Sequence, residues 1–265
     1  MKRLDSAKIF LLISNLLLYV FLFLPIVVVV ATSFGKAQFI TFPPEGFSLN
    51  WYANFLKSPK WVNSFLYSGY LAFITCFATL LLGVPASYCM VRYRFLGRDF
   101  LRQLFLAPLI VPWIVTGVAV LIFFTQLRVA GTFLGLVLGH TVVCTPYVIR
   151  SVMASLEGFD VSMENAARIL GATRFQTFLK VTLPLIKPGI VAGAIFSFLM
   201  SFDNVPISIF IVNPSQMTLP VEMLHFISWI QDPTISAVAT IYILMSLLAL
   251  FIAEKTVGLG KFTGA

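Results

Sequence analysis

By type and spacing, few residues of this chain are equipped for bond-making chemistry. Asp203 is the single charge in the run Pro188–Val221. A carboxylate at the centre of a bilayer costs about 2.5–3.5 kcal/mol, so it must face a polar cavity or a partner. Two readings stand open. Asp203 and its neighbour Asn204 line a path for a cationic solute, or one of them caps a helix break made by Pro206. His140 and His225 have no Cys, His or Asp at ligand spacing, so no metal site is expected. His140, beside Thr141, reads as a hydrogen-bonded packing residue, and His225 as a solvated or interfacial one. Cys76, Cys89 and Cys144 lie in apolar runs and read as packing residues. Neither H-E-x-x-H nor G-x-S-x-G occurs. Gly35-Lys36 and Gly260-Lys261 lack both the earlier glycine and the following Ser or Thr of a phosphate loop. The chain is therefore expected to hold no metal or cofactor and to be no enzyme.

The elements that must position these residues follow from composition. The chain has 265 residues, of which 59% are hydrophobic and 11% charged, and its mean hydropathy is +0.97. A soluble domain carries about 25% charge, so there is too little polar surface here for a water-soluble globule. Continuous apolar runs, rather than alternation, point to spanning helices and not a barrel. Six runs reach the roughly 20 residues a helix needs to cross the hydrocarbon core. They are Ile9–Gly35, Trp61–Val91, Gln103–Leu127, Val129–Ile149, Pro188–Val221 and Pro233–Ala253. The expected fold is an all-α integral membrane domain over 1–265 with six transmembrane helices. The first run follows Lys2, Arg3 and Lys8 like a signal peptide, but its length predicts a retained helix.

Lys and Arg fix the expected orientation. With the N-terminus inside, fourteen lie on inner segments, and four, Lys36, Lys57, Lys60 and Arg128, on outer ones. That bias predicts both termini in the cytoplasm. It also explains the net charge of +8 without a nucleic-acid partner. In the outer segment 36–60, Trp51-Tyr52 reads as an anchor at the lipid headgroups. Pro108, Pro112, Pro146 and Pro206 are expected inside spans, either as shape-making kinks or as hinges and path lining at exposed carbonyls. Gly117, Gly135 and Gly139 are expected to allow close helix packing, the last two as a small-xxx-small pair.

Segment 156–187 is the one inner loop large enough to fold by itself. Val161–Leu170 reads as a helix capped by Asp160 or Ser162, with Glu164 in its first turn, where the dipole favours an acid. Gly171 stops it. Thr173–Val181 is amphipathic, and Leu183-Pro184 ends it. Ala166 and Ala167 give the elbow a small-residue surface that another backbone can approach.

Asn165-Ala166-Ala167, three residues, Gly171, nine residues and Val181-Thr182-Leu183-Pro184 resemble the E-A-A-x3-G-x9-I-x-L-P motif. That motif marks permease subunits of binding-protein-dependent ABC importers. Asn165 replaces the motif Glu, with Glu164 one place earlier, and Val181 replaces the Ile. The likeness extends along the chain, most closely to the second permease of spermidine/putrescine-type transporters. It is carried by Trp51-Tyr52, Arg92-Tyr93-Arg94-Phe95-x-Gly97, Leu156-x-Gly158-Phe159-Asp160 and Ser201-Phe202-Asp203-Asn204. Importers for opines, phosphonates, sulfate and iron share the architecture.

The resemblance implies a cytoplasmic coupling helix between the fourth and fifth spans, seated in a groove of an ATPase subunit. Glu164, Asn165, Ala166, Ala167, Gly171, Leu183 and Pro184 would carry that contact. The implied partners are two ATPase subunits, a paralogous permease (or a second copy), a periplasmic binding protein and membrane lipid. The implied setting is the bacterial inner membrane. The implied cargo is a polyamine or another small organic solute.

Overall fold

The computed structural model describes residues 6–229 and 232–257, and among them every regular element is helical. The first is α1 (Ser6–Thr32), followed by the short α2 (Asn50–Lys57) and the long α3 (Pro59–Arg92). Next come α4 (Arg98–Leu106), α5 (Trp113–Gln126) and α6 (Phe133–Glu157). The connection to the next long helix holds α7 (Ser162–Ile169), α8 (Arg174–Thr177) and α9 (Leu183–Leu185). Then follow α10 (Lys187–Phe202), α11 (Val205–Ile211), α12 (Leu219–Ile227) and α13 (Thr234–Val257).

Among the described residues, four helices are long and apolar enough to cross a membrane, or up to six if each of two bent pairs counts as one span. The four are Lys8–Thr32, Pro59–Arg92, Phe133–Glu157 and Thr234–Ile252. One bent pair covers the run Gln103–Leu127, and the other joins the loop segment Arg174–Leu185 to Lys187–Phe202 at 68°; the run Pro188–Val221 breaks instead at Asp203, between α10 and α11. Arg98–Leu109 meets Trp113–Gln126 at 104°. Pro108 sits in the 3-10 turn Ala107–Leu109, and Pro112 is the N-cap of α5. Two prolines lacking a donor N–H within five residues interrupt the helical ladder, so the chain turns rather than kinks. Likewise Pro206 opens α11 instead of kinking α10. Only Pro146 of the four lies within a continuous helix.

The described residues fall into two compact units: those up to Val62 together with Met223–Met245, and Asn63–Glu222 together with those from Ser246. In the first unit α1 exposes its entire apolar window. Its end is tied down by α2. Trp51 is buried and its Nε1 donates to the Gly35 carbonyl at 2.7 Å, while the Tyr52 hydroxyl lies 2.7 Å from Ser33 Oγ. The aromatic pair expected as a headgroup anchor therefore packs within the protein, because each ring carries a polar tip that finds a backbone or hydroxyl partner.

The second unit is built around α6, which buries residues along its whole length from Gly135 to Leu156. Its tightest neighbour is α10. A Cβ on Gly193 would meet Val148 Cα at 3.0 Å, and one on Gly189 would collide with Ser155. The small-xxx-small pair that brings two backbones together is thus Gly189/Gly193 on α10, facing Ser151 and Ser155. Gly135 and Gly139 are also crowded, but by different neighbours. Gly135 meets the Val129 carbonyl of its own preceding turn, and Gly139 meets Ile207 and Ile211. Gly117 packs on Pro206 and Phe210, as close helix packing requires. On the other side α3 approaches through Gly83, against Val148 and Ile149. Thr79 Oγ1 and Ser197 Oγ, 2.8 Å apart, join α3 to α10.

Candidate functional site

The segment between α6 and α10 folds as a helical elbow. α7 starts without a side-chain cap on its own N-cap residue, Val161. Instead Asp160 Oδ1 accepts from Ser162 N–H at 2.9 Å. The Ser162 hydroxyl and then its backbone N–H hold the Asp160 carboxyl below its ordinary range. The helix ends where Gly171 adopts φ 90°, a left-handed conformation that favours glycine. Thr173 and Gln176 form a reciprocal capping box on α8. The amphipathic segment then runs past Leu183-Pro184 rather than ending there. Phe178–Thr182 forms a π-helical turn, and α9 carries the chain to Leu185. Pro184 has no N–H to give to Lys180, and the wider turn accommodates the missing bond.

The elbow sorts the expected contact residues into two groups. Glu164 points inward and is 6% exposed. Arg92 Nε donates to both of its carboxylate oxygens, at 3.2 and 3.1 Å, and Thr182 Oγ1 donates to Oε1 at 2.7 Å. Asn165 and Ala166 are exposed and Ala167 half-buried; Leu183 is half-buried and Pro184 exposed. A Cβ on Gly171 would meet nothing within 4 Å, so its requirement is conformational and not spatial.

The corner also exposes large apolar side chains, two of which, Leu170 and Phe175, lie on the periodic apolar faces of the loop's two segments. Ile169 is 86% and Leu170 88% exposed, and Phe175 is 69% exposed. Fully burying one such side chain is worth about 1.5–3 kcal/mol. An elbow that keeps three in contact with solvent is suited to pressing them into an apolar groove elsewhere. The sequence signal was present: apolar residues directly before the stop glycine, where the chain turns away from its own core.

At the far end of α10, sixteen residues or about 24 Å from the elbow, the chain breaks at Asp203. Asn204 is buried, and its Oδ1 accepts from Ile207 N–H at 2.9 Å, which caps α11. Of the two residues expected here, Asn204 takes the capping role. Asp203 is exposed, and among the described residues its carboxylate makes no side-chain hydrogen bond or ion pair. Beside the break, His140 on α6 is fully buried, with Nδ1 2.9 Å from Ser201 Oγ and Nε2 2.9 Å from Ser208 Oγ. It is hydrogen-bonded as expected, but its partners span the break, which spacing could not show. Glu222, in the first turn of α12, is a second buried acid that the run analysis left out. His225 is exposed, Cys144 buried, Cys76 half-buried and Cys89 exposed, so packing within the chain explains two of the three cysteines.

Comparison with known proteins agrees with this architecture. The chain is 32% identical over 249 residues to the spermidine/putrescine transport system permease protein PotC of Escherichia coli (strain K12), covering 93% of each chain. It is 32% identical over 233 residues to the putrescine transport system permease protein PotI of the same strain, covering 85% of this chain and 83% of that one. The fold matches that of a bacterial ABC transporter involved in the import of the acidic polysaccharide alginate. The TM-score is 0.70 at 17% identity, over 97% of this chain and 99% of that one. A family model for binding-protein-dependent transport system inner membrane components matches residues 79–255. On that match and those relatives, this chain belongs to the family of binding-protein-dependent transport system inner membrane components, as a multi-pass permease subunit.

Proposed function

We propose that this permease moves a polyamine or a related small organic cation inward across the membrane, driven by ATPase subunits that dock on the elbow. The observation that carries the reading is the elbow itself. It has a glycine-terminated α7, an exposed apolar corner of Ile169, Leu170 and Phe175, and a short connection through α9 that enters α10 at a 68° bend. Each feature suits a rigid cytoplasmic foot pushed by another protein. The cargo class rests on the relatives named for spermidine and putrescine. It also fits a carboxylate, Asp203, exposed at the end of α10 opposite the elbow.

In this reading the bent pair Arg98–Leu109 with Trp113–Gln126 supplies one span and the segment from Lys187 another, which with the four long helices makes six, with both termini in the cytoplasm. Segment 156–187 is the coupling loop within a single permease domain. Asn165, Ala166, Ala167 and Gly171 present the docking surface, while Leu183 and Pro184 carry displacement into α10. Glu164 belongs to the coupling loop by bracing it from inside. Two ATPase chains, a paralogous permease or a second copy, and a periplasmic binding protein complete the assembly. Asp203 offers a passing cation one weak counter-charge rather than a trap, and Asn204 holds the break that displays it.

The test is reconstitution of the purified complex in liposomes, with radiolabelled putrescine and spermidine outside and ATP at the ATPase face. ATP-dependent accumulation of either, absent with a non-hydrolysable nucleotide, is the expected result. Accumulation of neither, alongside uptake of an anionic or neutral solute, would reject the cargo class.

A further inference from the structure

Arg92 is the last residue of α3, and its guanidinium touches three other parts of the fold. Nε reaches the Glu164 carboxylate of α7, and Nη2 donates to the Leu156 carbonyl at 3.1 Å. The guanidinium carbon stands 4.6 Å from the centre of the Phe159 ring. Leu156 lies in the last turn of α6, where carbonyls have no partner within the helix. Glu164 in turn accepts from Thr182, in the π-helical turn that leads into α9. One buried ion pair thus ties the ends of α3 and α6 to both arms of the elbow, with side-chain exposures of 10% and 8%.

Buried ion pairs are poor devices for stability alone, because desolvation offsets the attraction and an apolar pair of similar volume often does as well. What they fix is geometry. A guanidinium presents donors in a rigid planar fork, so one side chain can hold a carboxylate and a carbonyl at set angles while its face lies on a ring. Lysine, a point charge, cannot do all three.

We propose that Arg92 is a positioning residue: with Glu164 it forms the internal link through which displacement of the elbow reaches α3 and α6 together, and not α10 alone. This rests on the reading of the elbow as the docking site of an ATPase. Without the link, pushing the elbow would bend the chain at Leu185–Lys187, where α9 and α10 already meet at a break of 68°. The bundle would then not turn as one body.

The experiment uses the full complex in liposomes and compares Arg92→Lys and the apolar double variant Arg92→Met/Glu164→Leu with the native chain. Three quantities are read: copurification of the ATPase chain, the midpoint of thermal unfolding, and labelled putrescine transported per ATP hydrolysed. The expected result is unchanged copurification, an unchanged midpoint in at least one variant, and a tenfold or greater fall in transport per ATP in that same variant. Native transport per ATP in both variants would overturn the proposal. So would a fall that tracks the loss of thermal stability in both, since that marks a purely structural pair. If the native complex itself shows no ATP-driven transport, the docking reading fails, and the link falls with it.

Discussion

His140 Nε2 lies 2.9 Å from Ser208 Oγ on α11, beyond the break that ends α10, while the other ring nitrogen of His140 holds Ser201 on the near side. A single side chain on α6 therefore pins both halves of an interrupted helix. Hydrogen bonds between membrane helices average about 0.6 kcal/mol and reach about 1.7 kcal/mol. His140→Leu keeps similar bulk and removes two. Its expected cost is about 1–3 kcal/mol in reversible unfolding of the purified protein, and Ser201→Ala alone should cost roughly half of that. Equal stability of His140→Leu and the native chain would mean that the serines rebond fully to their own helix carbonyls.

Gly171 has φ 90° with open space where a Cβ would stand. Only backbone strain distinguishes substitutions there, at about 1–2 kcal/mol for a residue forced into the left-handed region. Gly171→Val should leave the protein inserted and folded but shift the elbow corner. Substrate-stimulated ATP hydrolysis in the reconstituted complex should fall several-fold, and less so for Gly171→Asn, which tolerates that region better. Ala167→Trp, on the half-buried side of α7, should have the same effect by bulk. Normal stimulation in both Gly171→Val and Ala167→Trp would remove the elbow from the coupling pathway.

Asp203 and Asn204 are adjacent but do different things, and substitution should separate them. Asn204→Ala leaves Ile207 N–H without its cap and should destabilise the protein by about 1 kcal/mol. Asp203→Asn removes a charge that no described residue pairs. Stability and basal ATP hydrolysis should hold while putrescine uptake drops by tenfold or more. Uptake at the native level in a normally expressed Asp203→Asn protein would take the carboxylate off the path.

Orientation can be read from single cysteines in a background lacking Cys76, Cys89 and Cys144. Residues placed at Lys57 and Ser215 are expected to react with an impermeant thiol reagent in intact cells. One at Arg174, in the elbow, is expected to react only after permeabilisation. Labelling of the Arg174 position from outside would invert the topology and put the elbow out of reach of any ATPase.

The sequence by itself determined the class of fold, because 59% hydrophobic and 11% charged residues leave no other solvent but lipid. It also placed the elbow, since a stop glycine between two amphipathic segments is a local signal. Gly171 marks the corner for the same reason. Tertiary structure decided what distance along the chain conceals. Glu164 reads as a helix-dipole acid until Arg92, 72 residues away, is folded against it. Which glycines bring backbones together also depends on the face that a neighbour occupies, so Gly189 and Gly193 meet α6 where Gly135 does not meet another helix. The runs Gln103–Leu127 and Pro188–Val221 are uniformly apolar or nearly so, and apolarity marks what enters lipid without marking where a helix stops. Their breaks depend on how Pro112, Pro206 and the cap at Asn204 redistribute backbone hydrogen bonds. Only the folded chain shows that His140 of α6 holds Ser201 and Ser208 on the two sides of the second break.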